Sequence, residues 1–160
     1  MKYSLLLAAV AAQRFPVDDI FHTHCTMNTT LADSCDKAWA AIENTVKTIA
    51  DPALGTYSLF KEQTNSWVWA TRKGAPHNPQ VDDILFTFEQ SQDGTTCSVT
   101  GKSRRQTKSL YDYETNFCNV YNVLRSDEVA LTPVQWEKKS CRYAPPTEPF
   151  DLTDVRCSQY

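Results

Sequence analysis

Apolar and polar residues follow two different periods along this chain of 160 residues. Between Ser34 and Ala50, apolar residues recur every three or four positions and form a single stripe, which predicts an amphipathic helix. The stripe consists of Cys35, Ala38, Trp39, Ile42, Val46 and Ile49. Asp33 or Ser34 can cap the start of this helix. Asp51-Pro52 predicts its end, because proline disfavours helical geometry in the residue before it.

After this helix the period changes to two, which is typical of strands. Strand character is predicted in 57–60, 67–69, 84–88, 97–99, 117–124 and 134–143, after an extended or irregular lead-in over 13–32. The pair Asp93-Gly94 lies between two alternating runs and predicts a hairpin. The chain is therefore expected to be α+β, with one N-terminal amphipathic helix packed on a curved antiparallel sheet of four to six strands.

The first residues of the chain predict export. Residues 1–12 carry one positive charge, then an uncharged apolar run, then small residues, as in a secretory signal peptide. The apolar run is far shorter than the roughly 20 residues needed to span a bilayer, and no later segment approaches that length. We therefore expect a signal peptide over 1–12 and a single secreted, extracellular domain over 13–160.

Six cysteines follow this leader, and an even number beyond a secretory leader predicts a disulfide framework. They are Cys25, Cys35, Cys97, Cys118, Cys141 and Cys157. Fifteen connectivities are possible for six cysteines. Sequential pairing, first with second, third with fourth and fifth with sixth, is the simplest expectation.

A helix followed by successive antiparallel strands, with disulfides concentrated in the C-terminal half, resembles the cystatin-like domains. The resemblance covers roughly residues 33–143 and concerns the order of elements. Inhibitory cystatins carry a Gln-x-Val-x-Gly loop and a Pro-Trp loop; the first is absent here, and in Pro133-Val134-Gln135-Trp136 two residues separate the proline from the tryptophan. No protease-blocking residue is therefore carried over. Other folds with a helix on a curved sheet, such as the nuclear-transport-factor-like cone, fit the same element order.

The charge of the chain argues against two classes of partner. The full chain has a net charge of −3, and removal of Lys2 with the leader leaves 15 basic against 19 acidic residues. Affinity for nucleic acids depends on neutralising phosphates, and an anionic membrane surface makes a similar demand. Neither nucleic acid nor a membrane is therefore expected as a partner.

Two neighbouring segments are candidates for recognition of an extracellular protein or glycan. The first is residues 102–108, a basic segment in an otherwise acidic chain, in which Arg104, Arg105 and Lys108 could attract an acidic partner. The second interleaves tyrosine and asparagine on a predicted exposed strand face, where flat apolar area and fixed hydrogen-bonding groups suit binding. Its candidate residues are Tyr111, Tyr113, Asn119 and Tyr121. The favoured function is thus a secreted recognition protein without catalysis.

Two other function classes remain open from the sequence. A pocket between helix and sheet could carry a lipid or small apolar molecule; its expected lining is Trp39, Trp67, Phe86 and Phe88. Alternatively, a carboxylate pair such as Asp18-Asp19 or Asp82-Asp83 could serve an extracellular enzyme.

No cofactor or catalytic residue is expected. His22 and His24 could share one side of an extended segment and bind copper or zinc, but such a site needs further ligands. His77 is the only other histidine.

One glycosylation sequon is present, Asn28-Thr29-Thr30. In a secreted protein this triplet is expected as an acceptor in an exposed loop.

Overall fold

A computed structural model of the chain describes residues 14–111, 114–126 and 133–141 together with Cys157, with the backbone alone over 133–140. The expected signal peptide lies outside these residues. The described elements, in chain order, are β1 (His24–Leu31), α1 (Cys35–Thr48), β2 (Thr56–Gln63), β3 (Trp67–Lys73), β4 (Val81–Gln90), β5 (Cys97–Arg105), α2 (Thr115–Leu124) and β6 (Pro133–Cys141).

The six strands form one antiparallel sheet in the order β2-β3-β4-β5-β1-β6. Strands β2 to β5 are a meander, and Gly94 between β4 and β5 has a φ of 73°, as a tight turn there requires. Both helices pack on one face of the sheet. Alternate strand residues such as Val68, Ile84, Phe86 and Val99 point into this helix-facing core.

Helix α1 confirms the prediction from the apolar stripe. Ala38, Ile42 and Val46 are fully or almost fully buried against the sheet. The helix begins at Cys35 and ends at Thr48, before Asp51-Pro52. A stripe at this spacing faces one side only, so the sequence pattern alone defined the buried surface.

The expectation of an N-terminal helix is wrong, because a strand precedes it. Strand β1 falls within the segment predicted as an irregular lead-in, and it lies between β5 and β6 inside the sheet. Its residues Cys25, Met27 and Leu31 alternate toward the core. Asn28 therefore does not lie in a loop: it sits on an interior strand, opposite Thr100 on β5. Use of Asn28 as a glycan acceptor stays a prediction.

The predicted strand over 117–124 is also wrong, because this segment forms helix α2. All ten residues from Thr115 to Leu124 are buried. Asn116, Asn119 and Asn122 recur every three residues, which is a helical spacing, but this polar face meets polar groups of the protein interior instead of solvent. Valine and tyrosine also favour strands by propensity, and tertiary packing overrides that preference. Gly101 on β5 lets α2 approach, since a Cβ there would collide with Val120 Cγ1.

All six cysteines are disulfide-bonded, as predicted, but the sequential pairing is wrong. The bonds are Cys25–Cys141, Cys35–Cys97 and Cys118–Cys157. They join β1 to β6, the start of α1 to the start of β5, and α2 to the tail. Each bond thus connects elements 39 or more residues apart in the chain.

Candidate functional site

The lead-in before β1 crosses the outer face of the sheet, the face opposite the helices. Phe15 packs edge-on against Trp69, with ring centroids 5.5 Å apart. Further along, Arg105 donates its backbone N–H to the Thr23 carbonyl at 3.0 Å, and Ser109 donates to the Phe21 carbonyl at 2.9 Å. The lead-in is therefore held at both ends, on β3 and beside the loop that follows β5.

Asp19 is the polar anchor of this lead-in. Its carboxylate accepts hydrogen bonds from His22 Nδ1 at 2.8 Å, from the Phe21 backbone N–H at 2.8 Å and from Arg104 Nη2 at 2.8 Å. The contact with His22, assisted by those with Phe21 and Arg104, holds the pKa of Asp19 well below its usual range. A carboxylate that accepts several hydrogen bonds stays charged and fixes its neighbours.

A cleft of about 380 Å³ opens between this lead-in and the loop after β5. We call it the lead-in cleft; it is lined by Asp18, Asp19, Ile20, His22, Thr23, His24, Ser109 and Leu110. Most of its surface is contributed by apolar atoms, although six of its eight residues carry polar side chains and only Ile20 and Leu110 are apolar. Pockets that bind small molecules or side chains commonly have this composition and occupy roughly 300–1,000 Å³.

Large exposed apolar side chains line this cleft or lie next to its lining residues in the chain. Ile20 is 81% exposed, Leu110 58%, Phe21 55% and Tyr111 64%, and Val17 nearby in the chain is 83% exposed. Lys108 places its Nζ 5.6 Å from the centre of the Phe21 ring. Single exposed apolar residues are common on soluble proteins, but a group with polar neighbours is typical of an interaction site.

Of the residues predicted to bind a partner, Lys108 and Tyr111 flank the lining residues Ser109 and Leu110 in the chain without lining the cleft themselves. Tyr113 lies outside the described residues. Lys108 is exposed. Arg104 on β5 is 7% exposed and contacts Asp19 beneath the cleft. Three of the predicted residues therefore lie beside the cleft, next to its lining residues in the chain or in contact with one of them.

The other predicted residues are buried elsewhere. Arg105 donates from Nε to Asp82 at 3.0 Å on the helix-facing side of the sheet. Tyr121 and Asn119 belong to α2, where Asn119 is fully buried. The expected exposed face of tyrosine and asparagine is not present, because α2 packs these side chains inside the protein.

Asn119 belongs to a polar network between α2 and the sheet. Its Nδ2 donates to Asp82 Oδ2 at 2.9 Å and to Ser103 Oγ at 3.0 Å. The Ser103 hydroxyl donates to Asn116 Oδ1 at 2.7 Å, and Asn116 Nδ2 donates to Thr23 Oγ1 at 3.1 Å. Each donor in this network has an acceptor, as buried polar groups require, while Asn119 Oδ1 has no partner in the described part of the chain.

Above this network, burial raises the pKa of the Tyr57 hydroxyl. The neutral hydroxyl donates to the Asn119 carbonyl at 3.3 Å.

The residues expected to line a carrier pocket lie in or beside the helix-facing core. Of the two carboxylate pairs, Asp18 and Asp19 both line the lead-in cleft, whereas Asp82 and Asp83 are separated. Phe86 is fully buried in the core, and Trp39 donates from its indole to the Trp67 carbonyl at 3.4 Å. Phe88 packs at the edge of the same core. Asp82 and Asp83 point to opposite faces of β4, since Asp82 meets α2 and Asp83 accepts from Trp69 Nε1 on the outer face at 3.1 Å.

The polar groups of the lead-in cleft could act as hydrogen-bonding groups toward a ligand. Asp19 fixes His22 through Nδ1, which directs Nε2 to act as the acceptor when the ring is neutral. Ser109 Oγ donates to the Tyr111 carbonyl at 2.5 Å, so its proton is directed away from His22. Within the described part of the chain, no group of three or more histidine, cysteine or acidic side chains is placed to hold a metal ion.

Periodicity did not reveal the apolar residues at the cleft. Ile20 and Phe21 form one adjacent pair and Leu110 and Tyr111 another, each pair flanked by polar residues, and runs this short define no period. Their proximity follows from the pairing of the lead-in with the loop after β5. One sequence feature could have indicated these residues: they are large and apolar, yet they lie in segments that the sequence predicts to be irregular and exposed.

No protein-family model matches this chain, and no curated protein matches it significantly. Among solved structures, it is similar to the Mll3558 protein from Rhizobium loti, with 15% identity, a TM-score of 0.41 and coverage of 69% of this chain and 99% of that one. A putative uncharacterised protein from Bacillus thuringiensis gives 13% identity, a TM-score of 0.41 and coverage of 68% and 94%. The ZhuI aromatase/cyclase from Streptomyces sp. R1128 gives 11% identity, a TM-score of 0.33 and coverage of 68% of this chain and 88% of that one.

These likenesses are too weak to carry an argument about function. The chain has an α+β fold with an antiparallel sheet and three disulfides. The resemblance to cystatin-like domains is not confirmed. Neither described helix is long and apolar enough to cross a membrane.

Proposed function

We propose that this chain is a secreted recognition protein that binds an apolar segment of an extracellular partner protein in the lead-in cleft. Export is expected from the leader over 1–12, and three disulfides suit an oxidising compartment. The observation that carries the proposal is a cleft of about 380 Å³ lined by Ile20 and Leu110, each more than half exposed, with the exposed Phe21 and Tyr111 next to them in the chain. The proposal retains Tyr111 and Lys108 from the sequence-based hypothesis.

The composition of the cleft favours a protein over a glycan. Sugar-binding surfaces combine aromatic faces with fixed amides, but Asn116, Asn119 and Asn122 are buried. The exposed groups include the aliphatic Ile20 and Leu110, which complement apolar side chains of a protein. His22 and Lys108 add polar groups that would orient the bound segment.

The contribution of one cleft residue can be estimated from its exposure. Full burial of a leucine side chain contributes about 1.5–3 kcal/mol. Leu110 is 58% exposed in the free chain, so its burial by a partner would contribute about 1–2 kcal/mol. Loss of this contribution corresponds to about 5- to 30-fold weaker binding.

The experiment selects peptides from a displayed library on the oxidised wild-type chain and measures their affinities for two variants. Leu110→Ser removes an apolar group from the cleft. Leu54→Ser is the matched control, because Leu54 is 77% exposed and does not line the cleft. We expect peptides rich in apolar residues whose affinity falls about 5- to 30-fold with Leu110→Ser and is unchanged with Leu54→Ser.

Three results would overturn the proposal. Equal affinities for both variants would show that selected peptides bind elsewhere. Failure to select any peptide above background would remove the evidence for protein recognition. Binding to an oligosaccharide array that is abolished by Leu110→Ser would assign the cleft to glycans instead. Circular dichroism and thiol titration of each variant confirm that its fold and disulfides are intact.

A further inference from the structure

A second, smaller cavity lies on the helix-facing side of the sheet, away from the lead-in cleft. It has a volume of about 110 Å³ and is bounded by the loop between β3 and β4 and by the first residue of α2. Its lining is Ala53, Arg72, Gly74, Ala75, His77, Asn78, Gln80, Asp82, Arg105 and Thr115. A water needs roughly 10–15 Å³ of such space, so the cavity can hold several waters or one small polyatomic ion.

Charged side chains form one wall of this cavity. The strand register places Arg72 on β3 beside Asp82 on β4, and Asp82 beside Arg105 on β5. All three point toward the helices, and each is at most 7% exposed. Burying charged groups is costly, and a row of this kind adds little stability compared with apolar residues of similar size.

Each arginine is held in position by a carboxylate through Nε. Arg72 Nε lies 2.5 Å from Asp51 Oδ2, and Arg105 Nε lies 3.0 Å from Asp82 Oδ1. Among the described residues, the contact with Asp82 is the one hydrogen bond that the Arg105 side chain makes. Its Nη1 and Nη2 are therefore available as donors. A guanidinium fixed in this way presents a rigid fork that matches a carboxylate or phosphate group.

The carboxylates near the cavity are themselves engaged. Asp82 Oδ2 accepts from Asn119 Nδ2 at 2.9 Å, in addition to the contact of Oδ1 with Arg105. Asp51 Oδ1 accepts the backbone N–H of Ala53 at 2.9 Å. Their negative charge is thus directed toward existing donors, which reduces repulsion of an incoming anion.

Helix α2 adds a favourable dipole. The helix has ten residues and begins at Thr115, which lines the cavity. The start of a helix carries a partial positive charge and favours anions. Glu114 precedes it and makes no side-chain cap. His77 contributes a ring at the exposed side of the cavity.

We propose that this cavity binds a small oxyanion, a phosphate, sulfate or carboxylate group, through the guanidinium of Arg105, with Arg72 as a neighbouring positive charge, beside the start of α2. The site is separate from the lead-in cleft and does not depend on the function proposed for that cleft. The shared chemistry of the three anions is a set of oxygen atoms that accept two parallel N–H donors from a guanidinium.

The test measures the unfolding temperature of the oxidised chain against inorganic phosphate, sulfate or acetate at constant ionic strength. A ligand of the folded state raises this temperature in a saturable manner. We expect a saturable rise for at least one anion, and the anion that acts identifies the group. Arg105→Lys keeps the charge but loses the fork, and we expect affinity to fall at least tenfold.

Two further variants isolate the cavity. Ala53→Leu fills it while keeping both arginines, and we expect it to abolish the saturable rise. Lys102→Gln removes a cation from β5 at a position that does not line the cavity, and we expect it to leave the rise unchanged. A rise of equal size in wild type and Ala53→Leu would overturn the proposal.

The wild-type chain provides a test that needs no variant. Arginine Nε–Hε signals in a nitrogen–proton NMR spectrum report binding at the guanidinium. We expect the signals of Arg72 and Arg105 to shift on titration with the same anions. Absence of any shift, together with no saturable thermal effect, would overturn the proposal.

Discussion

Replacing Asn119 with alanine separates a structural role from a role in surface binding. In the structure, Nδ2 of this side chain donates to Asp82 at 2.9 Å and to Ser103 at 3.0 Å, and the residue is fully buried. Asn119→Ala removes both hydrogen bonds and leaves a buried carboxylate with one donor fewer. We therefore expect a clear loss of stability, as a buried polar group that loses its partner pays the desolvation cost.

The magnitude follows from the two contacts. A hydrogen bond to a charged group contributes about 1.5–3 kcal/mol, and one between neutral groups about 0.5–1.5 kcal/mol. Oδ1 of Asn119 is buried and has no partner in the described part of the chain, so its removal offsets some of the loss. We expect the free energy of unfolding to fall by about 2–3 kcal/mol, or Tm by about 4–12 °C.

The assay is urea unfolding with the disulfides intact, followed by tryptophan fluorescence and circular dichroism. Asn44→Ala is the matched control, because Asn44 is an exposed residue of α1. Both variants gain the helix propensity of alanine, so their difference isolates the effect of burial. If the two free energies of unfolding agree within about 0.5 kcal/mol, the buried network does not hold α2 as described.

Two other predictions test the packing of α2 and the anchor of the lead-in. Gly101→Ala introduces a Cβ that collides with Val120 and lies 3.2 Å from Phe86 Cε1, so we expect a loss of about 1–3 kcal/mol in urea unfolding. In the double variant with Val120→Ala, at least about 1 kcal/mol should be recovered relative to the sum of the single changes, and strict additivity would contradict the contact. For Asp19, whose pKa lies below the ordinary value of 3.8, the stabilising charge is present above the unfolded pKa and lost as pH falls through the folded one. Carbon NMR of the carboxyl group should show Asp19 titrating below 3.8, and His22→Ala should raise its pKa; ordinary titration in the wild type would refute this anchor.

The sequence alone determined the features that depend on neighbours along the chain. The stripe from Cys35 to Ile49 repeats on one side of a helix, so it defined α1 without knowledge of its partner. Asp93-Gly94 defined the turn between β4 and β5 for a similar reason, since the backbone of that turn is set by its own residues. The even number of cysteines after a leader predicted that all would be paired.

Only the tertiary structure decided the features that depend on distant segments. Helix α2 is buried on every side. Its asparagines at 116, 119 and 122 have helical spacing, but they meet buried polar groups instead of water, so only the packing showed that this segment is a helix and not an exposed strand. Cys25 pairs with Cys141 because β1 and β6 are adjacent in the sheet, with Cα atoms 4.2 Å apart across 116 residues. Arg105 is withdrawn from solvent by a carboxylate 23 residues away. The periodicity of a sequence indicates which side of a helix or strand is buried. Which groups meet on that side depends on how the strands pair. That pairing placed Arg72, Asp82 and Arg105 side by side and formed the lead-in cleft.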